Sequence, residues 1–346
     1  MKDEKLAKPT GSAKKKSLLT WLSAIIVAGC AGVFYQQSYT NSHEVDFRGL
    51  LPYAKLSELA YGTDSEIRNE TEGKYFSTTI IFDPKYESKA VILKDTDGGR
   101  YIIATRGTAN LKNALTDGNV RKIQSKQLDD IRMHAGFFNS SEALYSKILP
   151  VLDIDYYAIE VTGHSLGGAQ ALVLGMMLSK DGRHVTKIVT FGQPKVTDIN
   201  GVKEFDTLNI IRVINKHDIV PLVPSAEFVS VISDIRRYGI EGVSFFRHLG
   251  PQVVLLDSAY YCYVEKSDVE DAAGLFRTSL WANLYREKKD DSAEDKPENY
   301  LDILKDNLPD HKMDNYVAGI TAKLEDHSEV PLRDMDAHII DDGGKK

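Results

Sequence analysis

A serine stands between two glycines in the stretch VTGHSLGGA, where residue types and spacing indicate nucleophilic chemistry. Gly163, Ser165 and Gly167 form the pattern G-x-S-x-G, which is typical of a serine on a sharp turn between a strand and a helix. Strand-favouring residues precede the pattern over 156–162, and helix-favouring residues follow it over 166–178. This context predicts that Ser165 is a nucleophile held out over the end of a sheet.

The turn alone does not activate a serine, because a hydroxyl is a weak nucleophile at neutral pH and needs a base that an acid orients. In proteins with this kind of turn, the acid and then the base follow the serine along the chain. Asp218 follows the strand predicted over 208–214, at the carboxyl end where such sheets place functional groups. We therefore predict that Asp218 is the orienting acid and that its neighbour His217 belongs to a turn.

The base must come from a later loop, where four histidines follow Asp218. His248 lies in FFRHLG, just before the strand predicted over 253–256, and we predict that it is the base. His311 is the competing candidate, whereas His327 and His338 lie in or near the C-terminal tail.

An anionic tetrahedral intermediate requires hydrogen-bond donors from two places, the residue after the serine and a loop near an earlier strand. Leu166 is predicted to supply the first donor through its backbone N–H, at the start of a helix. Thr108 follows the strand predicted over 100–105 and is predicted to supply the second donor. This mechanism calls for no metal and no cofactor.

Strands alternate with helices along the part of the chain that carries these residues. Besides the three strands above, we predict strands over 75–82, 90–94, 156–162 and 187–191. Helices are predicted over 53–61, 142–149, 166–178, 268–285, 301–308 and 312–324. This alternation predicts the α/β class, with a mostly parallel twisted sheet covered by helices on both faces.

The composition is that of a globular protein, with 346 residues, of which 42% are hydrophobic and 27% charged. The formal net charge is −7, and no long basic face occurs beyond the extreme N-terminus, which excludes nucleic acid as an expected partner. The two cysteines, Cys30 and Cys262, give no disulfide framework, and we predict that they do not pair.

The N-terminus is typical of a membrane-targeting segment. Residues 1–17 are polar with three lysines near their end, and residues 18–35 carry no charge. This pattern predicts an uncleaved signal anchor or, because Cys30 ends the string VAGC, a lipoprotein signal. Both alternatives predict membrane association with the catalytic domain outside the cytoplasm, which in a bacterium means the periplasm or the cell surface.

The remaining boundaries follow from polarity. Residues 36–45 are predicted to form a linker and residues 46–328 the folded domain. The polar tail over 329–346, which includes two adjacent glycines, is predicted to be disordered.

Six stretches in this order resemble the class-three lipase family, which includes the fungal triacylglycerol lipases: TRGT at 105–108, MHAGF at 133–137, the serine stretch, TFGQP at 190–194, RVINKHDIVP at 212–221 and FRHLG at 246–250. The resemblance implies an α/β-hydrolase fold and hydrolysis of lipid esters without a metal, of the triacylglycerol lipase or phospholipase A type. It also implies a triad of Ser165, Asp218 and His248, with Thr108 and Leu166 as the oxyanion hole. DHKMDNY at 310–316 looks like a C-terminal helix of bacterial and plant members.

Two stretches depart from the fungal pattern. Residues 109–117 align with the fungal lid, but Ala114 stands where the fungal lid has a tryptophan, which predicts weak interfacial activation. Residues 228–246 are predicted to form either an alternative cap or a packed surface helix.

Two other functions stay open beside the lipase. One is an esterase for short or soluble esters, and the other is a catalytically silent lipid-binding scaffold.

Overall fold

The structure is a computed structural model that describes residues 43–107, 122–124, 128, 131–153, 157–216, 218, 220–222, 246–265, 308–332 and 334–335. Several predicted features lie outside these residues: the N-terminal segment, Thr108, the lid-like stretch over 109–117, the insert over 228–245 and the helix predicted over 268–285. Contacts divide the chain into two units, residues 1–44 and 45–346, and the description below concerns the second. Within the described ranges, no helix is long and apolar enough to cross a membrane.

Strands and helices alternate as the sequence predicts. The strands are β1 (Ser77–Asp83), β2 (Ser88–Asp95), β3 (Arg100–Thr105), β4 (Lys122–Gln124), β5 (Arg132–His134), β6 (Ala158–His164), β7 (Val185–Phe191), β8 (Ile210–Asn215), β9 (Gln252–Leu255), β10 (Tyr260–Val264) and β11 (Ser328–Glu329). The helices are α1 (Phe47–Leu59), α2 (Asp64–Thr71), α3 (Ala135–Ile148), α4 (Leu166–Lys180), α5 (Ile199–Glu204) and α6 (Met313–Thr321). Short 3-10 helices cover Leu149–Val151, Val220–Leu222 and Leu308–His311.

Nine of these strands form one mixed sheet in the order β1-β2-β3-β6-β7-β8-β9-β10-β11. The pairs from β3 through β9 are parallel, whereas β1, β2 and β3 form an antiparallel meander. The parallel strands β3, β6, β7 and β8 therefore end on the same side of the sheet, which we call the carboxyl edge. Thr105, His164, Phe191 and Asn215 are the last residues of these strands.

Helices cover both faces of the sheet, which confirms the predicted α/β class. Apolar residues of α3 and α4 pack with Ile103, Val161 and Ile188 in one core cluster. Residues of α1 and α6 pack on the opposite face with Val189 and Phe191. The alternation of neighbouring strand residues between the two clusters follows from the two-residue period of a strand.

The C-terminal part of the sheet differs from the sequence prediction. The strand at 253–256 is not the last one, because β10 pairs antiparallel with β9 and β11 pairs parallel with β10. The start of the predicted disordered tail is also packed: Val330 is 5% exposed and Met335 is 1% exposed. These two side chains join Val254 and Cys262 in an apolar cluster, which explains why this polar segment is nevertheless held.

Candidate active site

Ser165 lies on the turn between β6 and α4, where the backbone takes an unusual conformation. Its φ is 60° and its ψ is −129°, values that a residue other than glycine rarely adopts. Such strain persists only where the surroundings fix the backbone. The amide of Ser165 donates to the carbonyl oxygen of Phe191 over 2.9 Å, which ties the turn to the end of β7.

Close backbone approach requires the two flanking glycines. A Cβ on Gly163 would lie 2.4 Å from the carbonyl oxygen of Gly167, and one on Gly167 would lie 2.3 Å from that of Thr105. The hydroxyl of Thr105 donates to the Gly167 carbonyl over 2.6 Å and so fastens α4 to β3. A side chain at either glycine would therefore force apart the backbone segments that meet at the turn between β6 and α4.

Asp218 is buried beyond the end of β8, and its partner is His311. The Nδ1 atom of His311 lies 2.6 Å from Oδ2 of Asp218. The same oxygen accepts a hydrogen bond from the hydroxyl of Tyr316, and Oδ1 accepts from the amide of Val220 at 2.8 Å. Burial by itself raises the pKa of Asp218, but the charge and hydrogen bond of His311, with the other two donors, outweigh it and lower this pKa.

The structure does not pair His248 with Asp218, which corrects the expectation from the sequence. The Nε2 atom of His248 lies 2.7 Å from the carbonyl oxygen of Pro221, to which it donates. The neighbours of His248 explain its place: Arg247 forms a β-bridge with Thr197, and Leu249 is buried in the core. Residues 246–250 therefore hold the segment that leads into β9 in place, and the carboxylate of Asp218 pairs with His311.

Ser165, Asp218 and His311 meet around the end of β7. A Cβ on Gly192 would lie 2.6 Å from Oδ2 of Asp218 and 2.8 Å from Cε1 of His311, while Phe191 holds the amide of Ser165. The hydroxyl of Ser165 and the Nε2 atom of His311 are both buried, and neither has a hydrogen-bond partner in the described part of the chain. The hydrogen bonds of the described residues therefore leave both of these atoms unoccupied. No cluster of three or more metal-ligating side chains occurs among the described residues.

His164 precedes the serine and packs against the histidine that faces Asp218. The ring centroids of His164 and His311 are 4.5 Å apart, and Nε2 of His164 lies 2.7 Å from the backbone oxygen of His311. The Nδ1 atom of His164 lies 2.8 Å from the hydroxyl oxygen of Tyr61. Burial, together with the charge of His311, lowers the pKa of His164 to about 3 and keeps its ring neutral.

Of the two residues predicted to form the oxyanion hole, Leu166 is among the residues that the structure describes and Thr108 is not. Leu166 is the first residue of α4, where the N–H groups of the first turn have no carbonyl partner within the helix. Thr108 lies outside the described residues, but Gly107 precedes it directly. A Cβ on Gly107 would lie 3.1 Å from Cβ of Ser165, so the chain approaches the nucleophile just before Thr108.

Tyr316 and Tyr61 were not predicted from the sequence, and His311 was predicted only as the competitor of His248. A signal for His311 and Tyr316 is present in DHKMDNY, since Tyr316 lies five residues after His311 and both contact one carboxylate. A signal against His248 is also present, because His248 precedes a parallel strand whereas functional groups of such sheets follow the strands.

A sheet of this topology with a strained serine between a strand and a helix is consistent with the α/β-hydrolase class. Within it, residues 102–228 match the family model of class 3 lipases, which confirms the resemblance found in the sequence.

Known lipases and a bacterial toxin match this chain over part of their lengths. A lipase of Rhizopus niveus is 34% identical over 158 residues, which cover 40% of this chain and 40% of that protein. The toxin TseL of Vibrio cholerae is 26% identical over 208 residues, which cover 53% of this chain and 32% of the toxin. The crystal structure of the Lip2 lipase of Yarrowia lipolytica superposes with a TM-score of 0.51 at 21% identity, over 65% of this chain and 87% of that one, and supports the fold alone.

Proposed function

We propose that this chain is a serine hydrolase that cleaves carboxylic esters of lipids through an acyl-enzyme on Ser165. The observation that carries the proposal is the buried pair of His311 and Asp218 beside the strained serine, at the carboxyl edge of the sheet. The match to class 3 lipases over residues 102–228 supports the same chemistry.

We assign the protons from the contacts of Asp218 and His311. Because the pKa of Asp218 is lowered, its carboxylate is ionised at neutral pH and accepts a hydrogen bond from Nδ1–H of His311. In the catalytic tautomer the lone pair of His311 lies on Nε2, which takes the proton of Ser165 as its hydroxyl oxygen attacks the ester carbonyl carbon. Asp218 fixes this tautomer and stabilises the imidazolium that forms.

The negative charge that develops on the ester oxygen requires donors in the same place. We assign this role to the backbone N–H of Leu166, at the positive end of α4, and to Thr108. Collapse of the intermediate releases the alcohol, which takes the proton from His311. Water then attacks the acyl-enzyme by the same route in reverse and releases the fatty acid.

We propose acylglycerols or phospholipids as substrates and association of the chain with a membrane. The similarity to a Rhizopus lipase supports a lipid ester, and the uncharged stretch over 18–35 after a lysine cluster supports an anchor or a lipoprotein signal at Cys30. The catalytic domain would then lie outside the cytoplasm, close to the lipid it hydrolyses.

The test uses the full chain in detergent micelles and compares wild type, Ser165→Ala and Ser141→Ala. Ser141 is a matched control, since it is buried like Ser165 but its hydroxyl donates to the carbonyl of Phe137 at 2.7 Å within α3. Fatty-acid release is measured from triacylglycerol, phospholipid and short-chain esters side by side.

We expect Ser141→Ala to release fatty acid from long-chain lipid and Ser165→Ala to release none above background, with the preferred headgroup naming the substrate. Turnover of short esters alone would indicate an esterase for soluble substrates and not a lipase. Activity that persists in Ser165→Ala would contradict the proposed mechanism.

A further inference from the structure

Three hydrogen bonds of the same kind join α1 and the residues just after it to β6. Each links a side chain of the helical segment to a side chain of the strand. The three pairs are Tyr53 with Glu160 at 2.8 Å, Ser57 with Thr162 at 2.9 Å, and Tyr61 with His164 at 2.8 Å. Four helical residues rise about 6 Å and two strand residues about 6.6 Å, so both series keep in step. We call these contacts the polar ladder.

The contact of the polar ladder that involves Tyr61 differs from the other two because it reaches the candidate active site. The carbonyl oxygen of His311 can only accept a hydrogen bond, so Nε2 of His164 carries the proton. The Nδ1 atom of His164 is then the acceptor, and the hydroxyl of Tyr61 must donate to it.

The hydroxyl oxygen of Tyr61 also lies against the backbone of Gly107, since a Cβ on Gly107 would lie 2.3 Å from this oxygen. Tyr61 therefore contacts Gly107 on one side and donates to His164 on the other. His164 in turn donates to the backbone oxygen of His311.

This series of contacts connects two parts of the site that must act together. Gly107 directly precedes Thr108, the proposed oxyanion donor, and His311 is the proposed base. A Cβ on Gly107 would lie 3.1 Å from Cβ of Ser165, so the two segments, distant in sequence, approach the serine from different directions. Tyr61 is placed to fix the distance between them.

We propose that Tyr61 is a positioning residue. Through its contacts with Gly107 and His164, it holds the backbone that leads to Thr108 at a fixed distance from the segment that carries His311. The proposal rests on the proposed function. A phenylalanine at this position would leave the Nδ1 atom of His164 without its donor and would remove the hydroxyl that lies against Gly107. The loss should act on the transition state, in which the oxyanion exists, more than on substrate binding.

The experiment compares Tyr61→Phe with Tyr53→Phe in the full chain. The two variants are matched, because each removes one hydroxyl that makes a 2.8 Å hydrogen bond to β6 in the polar ladder. The fraction of reactive Ser165 is counted with a chromogenic phosphonate ester, and kcat is expressed per reactive site, so partial unfolding does not affect the result.

We expect Tyr61→Phe to lower kcat by about tenfold or more with KM within about twofold. Tyr53→Phe should keep kcat within about twofold even where it lowers the unfolding midpoint equally. A boronic acid that forms a tetrahedral anion on Ser165 should bind Tyr61→Phe more weakly by a similar factor.

Equal kcat values in the two variants, or a loss confined to KM, would overturn the positioning role. Such a result leaves the ester hydrolase intact as long as Ser165→Ala is inactive. Activity retained by Ser165→Ala would instead show that the proposed function has failed.

Discussion

Residues 246–250 and 308–316 each bring a buried histidine against the segment around Asp218, and the two histidines have different partners. His248 donates to the carbonyl oxygen of Pro221 at 2.7 Å, whereas His311 faces the carboxylate of Asp218 at 2.6 Å. His248 is 2% exposed and His311 is 4% exposed, so burial does not distinguish them.

The acceptor decides what each histidine can do. A carbonyl orients an imidazole but offers no full charge to stabilise an imidazolium, whereas an ionised carboxylate does both. His311 therefore has the partner that a general base requires, and His248 has the partner of a residue that fixes a loop. The predictions below test this difference, from the largest expected effect to the smallest.

Replacement of the carboxylate should have the largest effect. Asp218→Asn keeps the shape but removes the charge that fixes the tautomer of His311, so we expect kcat/KM to fall by about 10³- to 10⁴-fold. The control is Asp257→Asn, whose carboxylate is paired with Lys216. A loss below about tenfold in Asp218→Asn would show that the pair does not serve catalysis.

The comparison of buried histidines extends to His164 and His134, whose rings burial keeps neutral. Their pKa values are lowered to about 3 and about 4, below the ordinary value of about 6.5 in an unfolded chain. The unfolded state therefore binds more protons below pH 6.5, so the free energy of unfolding must fall as the pH falls from 7 to 5.

We expect a decrease on the order of 2 kcal/mol for each of these histidines between pH 6.5 and 5. Denaturant titrations of Ser165→Ala measure it, and His134→Gln should show a shallower dependence because one titrating group is gone. A free energy of unfolding that does not change over this range would contradict neutral burial of the two rings.

Removal of the second donor to Asp218 should have the smallest effect. Tyr316→Phe deletes a hydroxyl that donates to Oδ2 while the contact with His311 stays, so we expect kcat/KM to fall by about tenfold. Tyr101→Phe is the matched control, since it also breaks a tyrosine–aspartate hydrogen bond, to Asp153 at 2.9 Å. If the two variants lose the same activity, Tyr316 contributes nothing specific to the site.

The sequence predicts the features that local residues determine. The turn around Ser165 depends on Gly163 and Gly167, and both glycines are required by contacts of the turn itself. The bounds of β3 are as predicted, because Arg100–Thr105 is a run of strand-favouring residues after a glycine turn. The position of Asp218 follows from the strand that precedes it.

The partner of Asp218 is a long-range choice that local pattern does not determine. His311 is 93 residues away in sequence, beyond two further strands, and its place depends on how α6 packs against α1. The same holds for Tyr61. The four-residue spacing along α1 and the turn after it, and the two-residue spacing on β6, are each visible in the sequence only separately. Their pairing into the polar ladder is fixed only by the packing of helix on sheet.

The most direct test of the account is a comparison of His311→Gln and His248→Gln in the full chain, with kcat/KM measured on the preferred ester and folding checked by thermal unfolding. We predict that His311→Gln loses at least about 10³-fold, while His248→Gln stays within about threefold and loses only stability. An active His311→Gln together with an inactive, folded His248→Gln would contradict the account.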